Sequence, residues 1–96
     1  MTKIIEHKKN DLGVKPELHD FTQDQMEKYQ EYVNVANEAA KSGMAFNSII
    51  VRGAVTAGFL TGITLEQVGA LAPWKVLFIT KNVLQFVTEQ ITVPPE

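Results

Sequence analysis

The sequence predicts an all-α fold, a small bundle of about four helices preceded by an extended N-terminal arm. Apolar residues recur at spacings of three and four through most of residues 21–91. Thr-x-x-Gln capping boxes occur at two places, and the links between the helical segments are short. A chain of 96 residues with 45% hydrophobic residues is large enough for one folded domain with a thin core.

Residues 1–20 are expected to form a flexible or extended arm. They mix charged residues with Gly13 and Pro16 and show no sustained apolar period. Ile4-Ile5 and Leu12-x-Val14 could add a short strand, but chain ends are more often loosely held. Residues 21–96 are therefore predicted to be the single helical domain.

The first helix is predicted to begin at Thr22, which heads a Thr-x-x-Gln capping box. Phe21 and Met26 flank this start at the positions of a hydrophobic staple. Ser42-Gly43 supplies the stop. The apolar face of this helix is predicted to contain Met26, Tyr29, Val33, Ala36 and Ala40.

The second helix is predicted over residues 47–57, with Asn47 or Ser48 as its cap. Gly53-x-x-x-Ala57 places small residues one turn apart, which allows another helix to approach closely. Close packing inside a small core is the more common use of such a pair, and a dimer seam is the alternative.

A loop and a short helix follow. Gly58 and Gly62 bracket residues 59–61, which we expect to be a loop. A second Thr-x-x-Gln box at Thr64 then begins a short helix that reaches Leu71.

The long C-terminal helix is predicted from Pro73 to roughly Gln90, before Pro94-Pro95. Frequent β-branched residues allow an alternative with strands over 76–80 and 83–93. We favour the helix because Pro73 suits a first turn and no glycine interrupts the run.

This C-terminal helix carries two apolar stripes. The first contains Val76, Ile79, Val83, Phe86 and Val87. The second contains Trp74, Leu77, Phe78, Leu84 and Ile91. One stripe can pack inside the domain, whereas the second would leave an apolar patch that monomers usually avoid. We predict that the second stripe binds protein, although a buried core position is the more common environment for Trp74.

Composition disfavours most other functions. Nine Lys and Arg against eleven Asp and Glu give a net charge of −2, and no basic block could neutralise a row of phosphates, so nucleic acid is disfavoured as a partner. Without cysteine there is no disulfide, thiolate zinc site or cysteine nucleophile. His7 and His19 lie outside any metal-ligand spacing and are expected on the solvated surface. We expect no catalysis, metal, cofactor, signal peptide or membrane span, and a cytoplasmic location.

A helix-turn-helix DNA-binding regulator is one alternative, because residues 47–57, a glycine-bounded turn and residues 65–71 have that outline. The second of these helices carries Glu66 and neither Lys nor Arg. The charge pattern therefore disfavours DNA binding.

Several short motifs resemble those of small helical phage tail assembly chaperones. They are Arg52-Gly53-Ala54, Ala57-Gly58-Phe59, the segment from Thr64 to Gly69, Pro73-Trp74-Lys75-Val76 and the ending near residues 91–96. The resemblance covers about residues 21–96. It implies a helical protein that binds apolar helices of a tape-measure protein during tail assembly, often as an oligomer.

We therefore expect a non-catalytic protein-binding protein that shields apolar helices of a client and self-associates. The predicted interaction residues are Trp74, Leu77, Phe78, Leu84 and Ile91. The alternative is a phage or bacterial inhibitor that binds a protein surface through the acidic first helix, above all Glu27 and Glu31.

Overall fold

The computed structural model describes residues 2–42 and 45–92. These residues form four helices and three short strands. In chain order the elements are β1 (Thr2–Ile4), β2 (Glu17–His19), α1 (Gln23–Lys41), α2 (Phe46–Ala57), β3 (Leu60–Thr61), α3 (Leu65–Ala70) and α4 (Pro73–Ile91).

The prediction of a mainly helical chain with four helices is confirmed, but the all-α class is wrong because the chain also contains a small sheet. The alternative with strands over residues 76–80 and 83–93 does not hold, since α4 is helical from Pro73 to Ile91. The predicted stop signals Gly43 and Pro94 lie outside the described residues.

The sheet is antiparallel with the order β1-β2-β3. Leu18, in the central strand, is buried between the half-buried Glu17 and His19, which is the alternation expected of a strand with one face on a core. The sheet joins the beginning of the chain to residues 60–61, which are distant in sequence. Burial of Leu18 is therefore one reason for this long-range pairing.

The N-terminal segment packs on the domain and does not extend away from it. Ile5, Leu12 and Leu18 have exposed fractions of only 1%, 3% and 0% and belong to the core. The Ile5 N–H also donates to the carbonyl of Pro16 at 3.0 Å, which closes the loop between β1 and β2. Residues 2–20 thus include strands and core positions where we predicted a flexible or extended arm.

Residues 59–61, predicted to be a loop, include β3. Gly58 and Gly62, on either side, have φ angles of +91° and +81°, in the left-handed region that favours glycine. A Cβ atom on Gly62 would lie 2.0 Å from the carbonyl oxygen of Lys15. Glycine at position 62 is therefore what allows the N-terminal segment to come this close.

Both predicted capping boxes are present. The Thr22 hydroxyl accepts from the Gln25 N–H, and the Gln25 side chain accepts from the Thr22 N–H. Gln25 Nε2 also donates to the carbonyl of Ala57 at 3.1 Å, so the start of α1 is fastened to the end of α2. Thr64 and Gln67 form the same reciprocal pair at the start of α3.

The start of α2 differs from the prediction. Its N-cap is Ala45, which offers no side-chain hydrogen bond, so neither Asn47 nor Ser48 is the cap. Phe46, the first helical residue, packs against the core. Helix α2 therefore begins without a polar cap, and its first residue is held by apolar contact with the core.

Helix α2 lies at the centre of the molecule and packs against α1, α3, α4 and β3. Its Gly53 lies so close to α1 that an added Cβ would be 2.5 Å from Cβ of Tyr32. The small residues of α2 therefore serve core packing. On α1, Tyr29 and Ala36 are buried and Met26 and Val33 pack partly against the core, while Ala40 is exposed.

Candidate protein-interaction face

The inner side of α4 forms part of the core. Val83, Phe86 and Ile79 are fully buried, and Val76 and Val87 are 8% and 7% exposed. Thr80 is buried among them and donates its hydroxyl to the carbonyls of Val76 at 2.8 Å and Asn47 at 3.2 Å. The first stripe therefore packs inside, and it fixes the orientation of the whole helix.

The opposite side of α4 is exposed to solvent. The exposed fractions are 42% for Trp74, 41% for Leu77, 39% for Leu84 and 61% for Ile91. With Lys81 and Thr88, which are also exposed, these residues form what we call the outer row: Trp74, Leu77, Lys81, Leu84, Thr88 and Ile91.

The outer row is a straight feature, because its members alternate between spacings of three and four residues. From first to last it extends about 26 Å at the helical rise of about 1.5 Å per residue. The same geometry explains why Trp74 is not a core residue. It lies on the side of Leu77, whereas Val76 and Ile79 point to the interior.

Phe78, the remaining predicted interaction residue, is half-buried because the N-terminal loop covers it. The His7 ring makes T-shaped contacts with Phe78 at a centroid distance of 5.0 Å and with Trp74 at 5.4 Å. His7 Nδ1 accepts hydrogen bonds from the N–H groups of Lys9 and Asn10 at 3.0–3.2 Å. The loop at residues 7–10 thus lies along one edge of the outer row.

Neither histidine is the freely solvated side chain that we expected. His7 is half-buried against the two aromatic rings. His19 is half-buried in β2, where its Nε2 lies 2.7 Å from Oγ1 of Thr61 and its Nδ1 lies 3.3 Å from Oγ1 of Thr2. Both imidazoles hold the N-terminal segment in place, a role that depends on pairings distant in sequence.

A second apolar surface lies between α1 and α2. It is a groove of about 250 Å³. Its lining consists of Glu31, Tyr32, Val35, Ile49 and Arg52. Val35 is 58% exposed, and Glu31 and Arg52 place opposite charges at the groove.

The described part of the chain contains no group of three or more His, Asp or Glu side chains that could hold a metal ion. It also contains no helix long and apolar enough to cross a membrane. Helix α3, the segment considered for DNA recognition, has six residues and carries neither Lys nor Arg.

Comparisons with known protein families, with curated proteins and with solved structures each found no match to this chain. The functional assignment therefore depends on the residues and geometry of the chain itself, and the exposed row on α4 is its most distinctive surface.

Proposed function

We propose that this chain is a non-catalytic protein-binding protein that resembles a phage tail assembly chaperone and covers apolar helices of a client. The observation that carries the proposal is the outer row. Four large apolar side chains, each 39–61% exposed, lie in one line on a helix whose other side is fixed in the core.

The geometry suits an apolar helix as client. Residues at alternating spacings of three and four present a ridge that a second helix can pack against at a small crossing angle. The row is already ordered, because the inner side of α4 is locked by Ile79, Val83 and Phe86. Binding therefore costs little conformational entropy on this side of the interface.

The free energy gained by covering the outer row favours a reversible complex. Covering a Leu or Ile that is roughly half-exposed contributes about 1 kcal/mol, and Trp74 somewhat more. Four such residues give a gross gain of about 5 kcal/mol, from which the cost of association must be subtracted. A client also needs contacts beside the row, and the paired rings of His7 and Phe78 are the adjacent apolar surface.

The test is capture of clients from the native host with an affinity-tagged chain, comparing wild type with Leu84→Glu. A carboxylate at the middle of the row should abolish capture without unfolding the domain, because Leu84 is 39% exposed. The matched control is Glu27→Lys on the exposed face of α1. Equal capture by wild type and Leu84→Glu would show that clients do not bind the outer row.

Trp74 provides a direct readout with a purified client. It is the only tryptophan in the sequence and lies in the outer row. Its fluorescence should shift to shorter wavelength when a client helix covers the row. An unchanged spectrum at saturating client would place the client elsewhere on the molecule.

The second candidate is an inhibitor that occupies a protein surface, and the groove between α1 and α2 favours it. Exposed Val35 gives this groove an apolar contact, and Glu31 gives it an acidic one. Reversing charge at Glu27 and Glu31 should then abolish binding while Leu84→Glu retains it. The two candidates thus give opposite results with the same pair of variants.

A further inference from the structure

We infer that the groove between α1 and α2 is a docking site for a helix of a partner protein. The partner helix places one apolar side chain of about the size of phenylalanine in the groove, a basic side chain beside Glu31 and an acidic one beside Arg52. This inference deepens the second candidate function, on which it rests, because it specifies the protein surface that the groove recognises. The outer row has no part in it.

The groove is apolar and has room for one large side chain. Its lining includes Tyr32 and Val35 of α1 and Ile49 of α2, and Glu31 and Arg52 add the aliphatic parts of their side chains. The volume is about 250 Å³, and an apolar cavity of about 150 Å³ can hold benzene. Pockets for drug-sized ligands begin at about 300 Å³. The groove therefore suits a single phenylalanine or leucine side chain of a protein better than a free small molecule.

The direction and closeness of α1 and α2 determine the shape of the groove. Gln25 at the start of α1 donates to the carbonyl of Ala57 at the end of α2, so the two helices are antiparallel. Further along, Tyr32 lies directly beside Gly53. The two helices thus meet closely at Tyr32, and a third helix can lie along the line between them.

Opposite charges lie on the two sides of this groove. Glu31 and Arg52 are the chain neighbours of Tyr32 and Gly53, so they lie at the same height, one on each helix. Among the described residues, neither Glu31 nor Arg52 has an ion-pair partner. Arg52 is half-buried, and its Nη2 would be 3.2 Å from a Cβ on Gly69 of α3. Each charge is therefore available to a partner of opposite sign.

The apolar contacts lie one helical turn from the charges. Val35 follows Glu31 by four residues on α1, and Ile49 precedes Arg52 by three residues on α2. Because the helices are antiparallel, Val35 and Ile49 lie at the same end of the groove, about 5 Å of rise from the charges. Val35 is 58% exposed, so a partner side chain can cover it.

This arrangement predicts a pattern of residues on the partner helix. If an apolar residue at position i contacts Val35 and Ile49, positions i+3 and i+4 lie one turn away and on either side of it. One of these positions faces Glu31 and the other faces Arg52. The partner therefore carries a large apolar residue with adjacent basic and acidic residues one turn away.

Three synthetic peptides test the pattern. They are alanine-rich helices of about 18 residues, long enough to form a helix in water, and each contains one central phenylalanine at position i. The first carries Lys at i+3 and Glu at i+4, the second carries the reverse order, and the third carries Gln at both positions. The charged pair must lie at the Glu31–Arg52 end of the groove, which leaves one matching order. In NMR titrations of the isotope-labelled chain, we expect that order to bind roughly tenfold more tightly than the reverse, with the Gln peptide between them.

Variants of the chain identify the residues that produce this preference. Combining Glu31→Arg with Arg52→Glu should reverse the preferred order. Glu31→Lys alone, at an exposed position, should abolish the preference, and this variant keeps the test valid if the double variant does not fold. Glu27→Lys is the matched control, because it makes the same charge change on α1 at a position that does not line the groove. Val35→Glu should prevent binding of all three peptides, because it places a carboxylate in the apolar groove.

The outcomes separate this inference from the proposed functions. Equal binding of the three peptides, or a preference that charge exchange leaves unchanged, would refute it. Loss of peptide binding in Leu84→Glu would also refute it, because the peptide would then lie on the outer row. If the peptides show no preference while reversal of Glu27 and Glu31 still abolishes capture of a host protein, the stated occupant is wrong and the second candidate function stands. If the predicted preference is found and that capture is unchanged, the groove binds as inferred and the inhibitor function is wrong.

Discussion

Replacing Tyr29 with phenylalanine is expected to stabilise this protein, and the structure gives the reason. Tyr29 is 1% exposed, and its ring meets Phe59 edge to face at a centroid distance of 5.3 Å. In the part of the chain that the structure describes, its buried hydroxyl has no hydrogen-bond partner. The ring therefore contributes packing, while the hydroxyl loses its hydration on folding without replacement.

The magnitude follows from that missing partner. A buried polar group without a hydrogen bond costs about 1–3 kcal/mol, and removing one oxygen leaves only a small void. We expect Tyr29→Phe to raise the free energy of unfolding by about 1 kcal/mol, which corresponds to a rise in Tm of about 5 °C for a chain of this size. Tyr32→Phe is the control on the same helix, because the Tyr32 hydroxyl is not a buried, unpartnered group.

The same burial predicts a loss of stability in alkali. Burial raises the pKa of Tyr29 from 10.0 to about 12. Below pH 10 the folded and unfolded states both keep the proton, so this group adds no pH dependence. Between pH 10 and 12 the unfolded state releases the proton and the folded state does not, so stability falls as pH rises. The loss levels off at roughly 3 kcal/mol above about pH 12, where both states have released the proton.

The assay is urea denaturation of wild type and Tyr29→Phe at neutral pH and at steps from pH 9 to 12. The difference in unfolding free energy between the two proteins should be constant below pH 10 and widen above it. A Tyr29→Phe variant that is less stable than wild type at neutral pH would show that the hydroxyl is satisfied. A constant difference up to pH 12 would show that the hydroxyl ionises equally in both states.

Two further stability predictions use matched pairs of variants and urea denaturation. Gly53→Ala should lower the free energy of unfolding by about 1–3 kcal/mol, although alanine has the better helix propensity, because the new Cβ would lie 2.5 Å from Cβ of Tyr32. Gly69→Ala should be nearly neutral, because its new Cβ would meet only the flexible end of the Arg52 side chain at 3.2 Å. Equal costs at the two glycines would contradict the close approach of α1 and α2. Phe86→Ala should cost about 3–5 kcal/mol and Leu84→Ala less than about 1 kcal/mol, because Phe86 is fully buried and Leu84 is 39% exposed. Similar costs for both would mean that the two sides of α4 are wrongly assigned.

The exposed and buried sides of α4 could be predicted in outline because their determinants are local. The periodicity of α4 separates Phe86 and Ile79 from Leu84 and Leu77 whatever the rest of the chain does. Phe78 was harder to assign, since its partial burial depends on His7, some seventy residues earlier. The isolated apolar residues Ile5 and Leu12 were the available signal that the N-terminal segment packs down.

Three helix starts could be read directly from the sequence, because their signals lie within a few residues of each other: Thr22 with Gln25, Thr64 with Gln67, and Pro73 in the first turn of α4. The pairing of β2 with β1 and with β3 could not be read from local sequence, because it brings residues 17–19 beside residues 2–4 and residues 60–61. A cap or a helical stripe is satisfied by neighbours one turn away, whereas a strand of two or three residues is stable only when a distant segment supplies its hydrogen bonds and covers its apolar side.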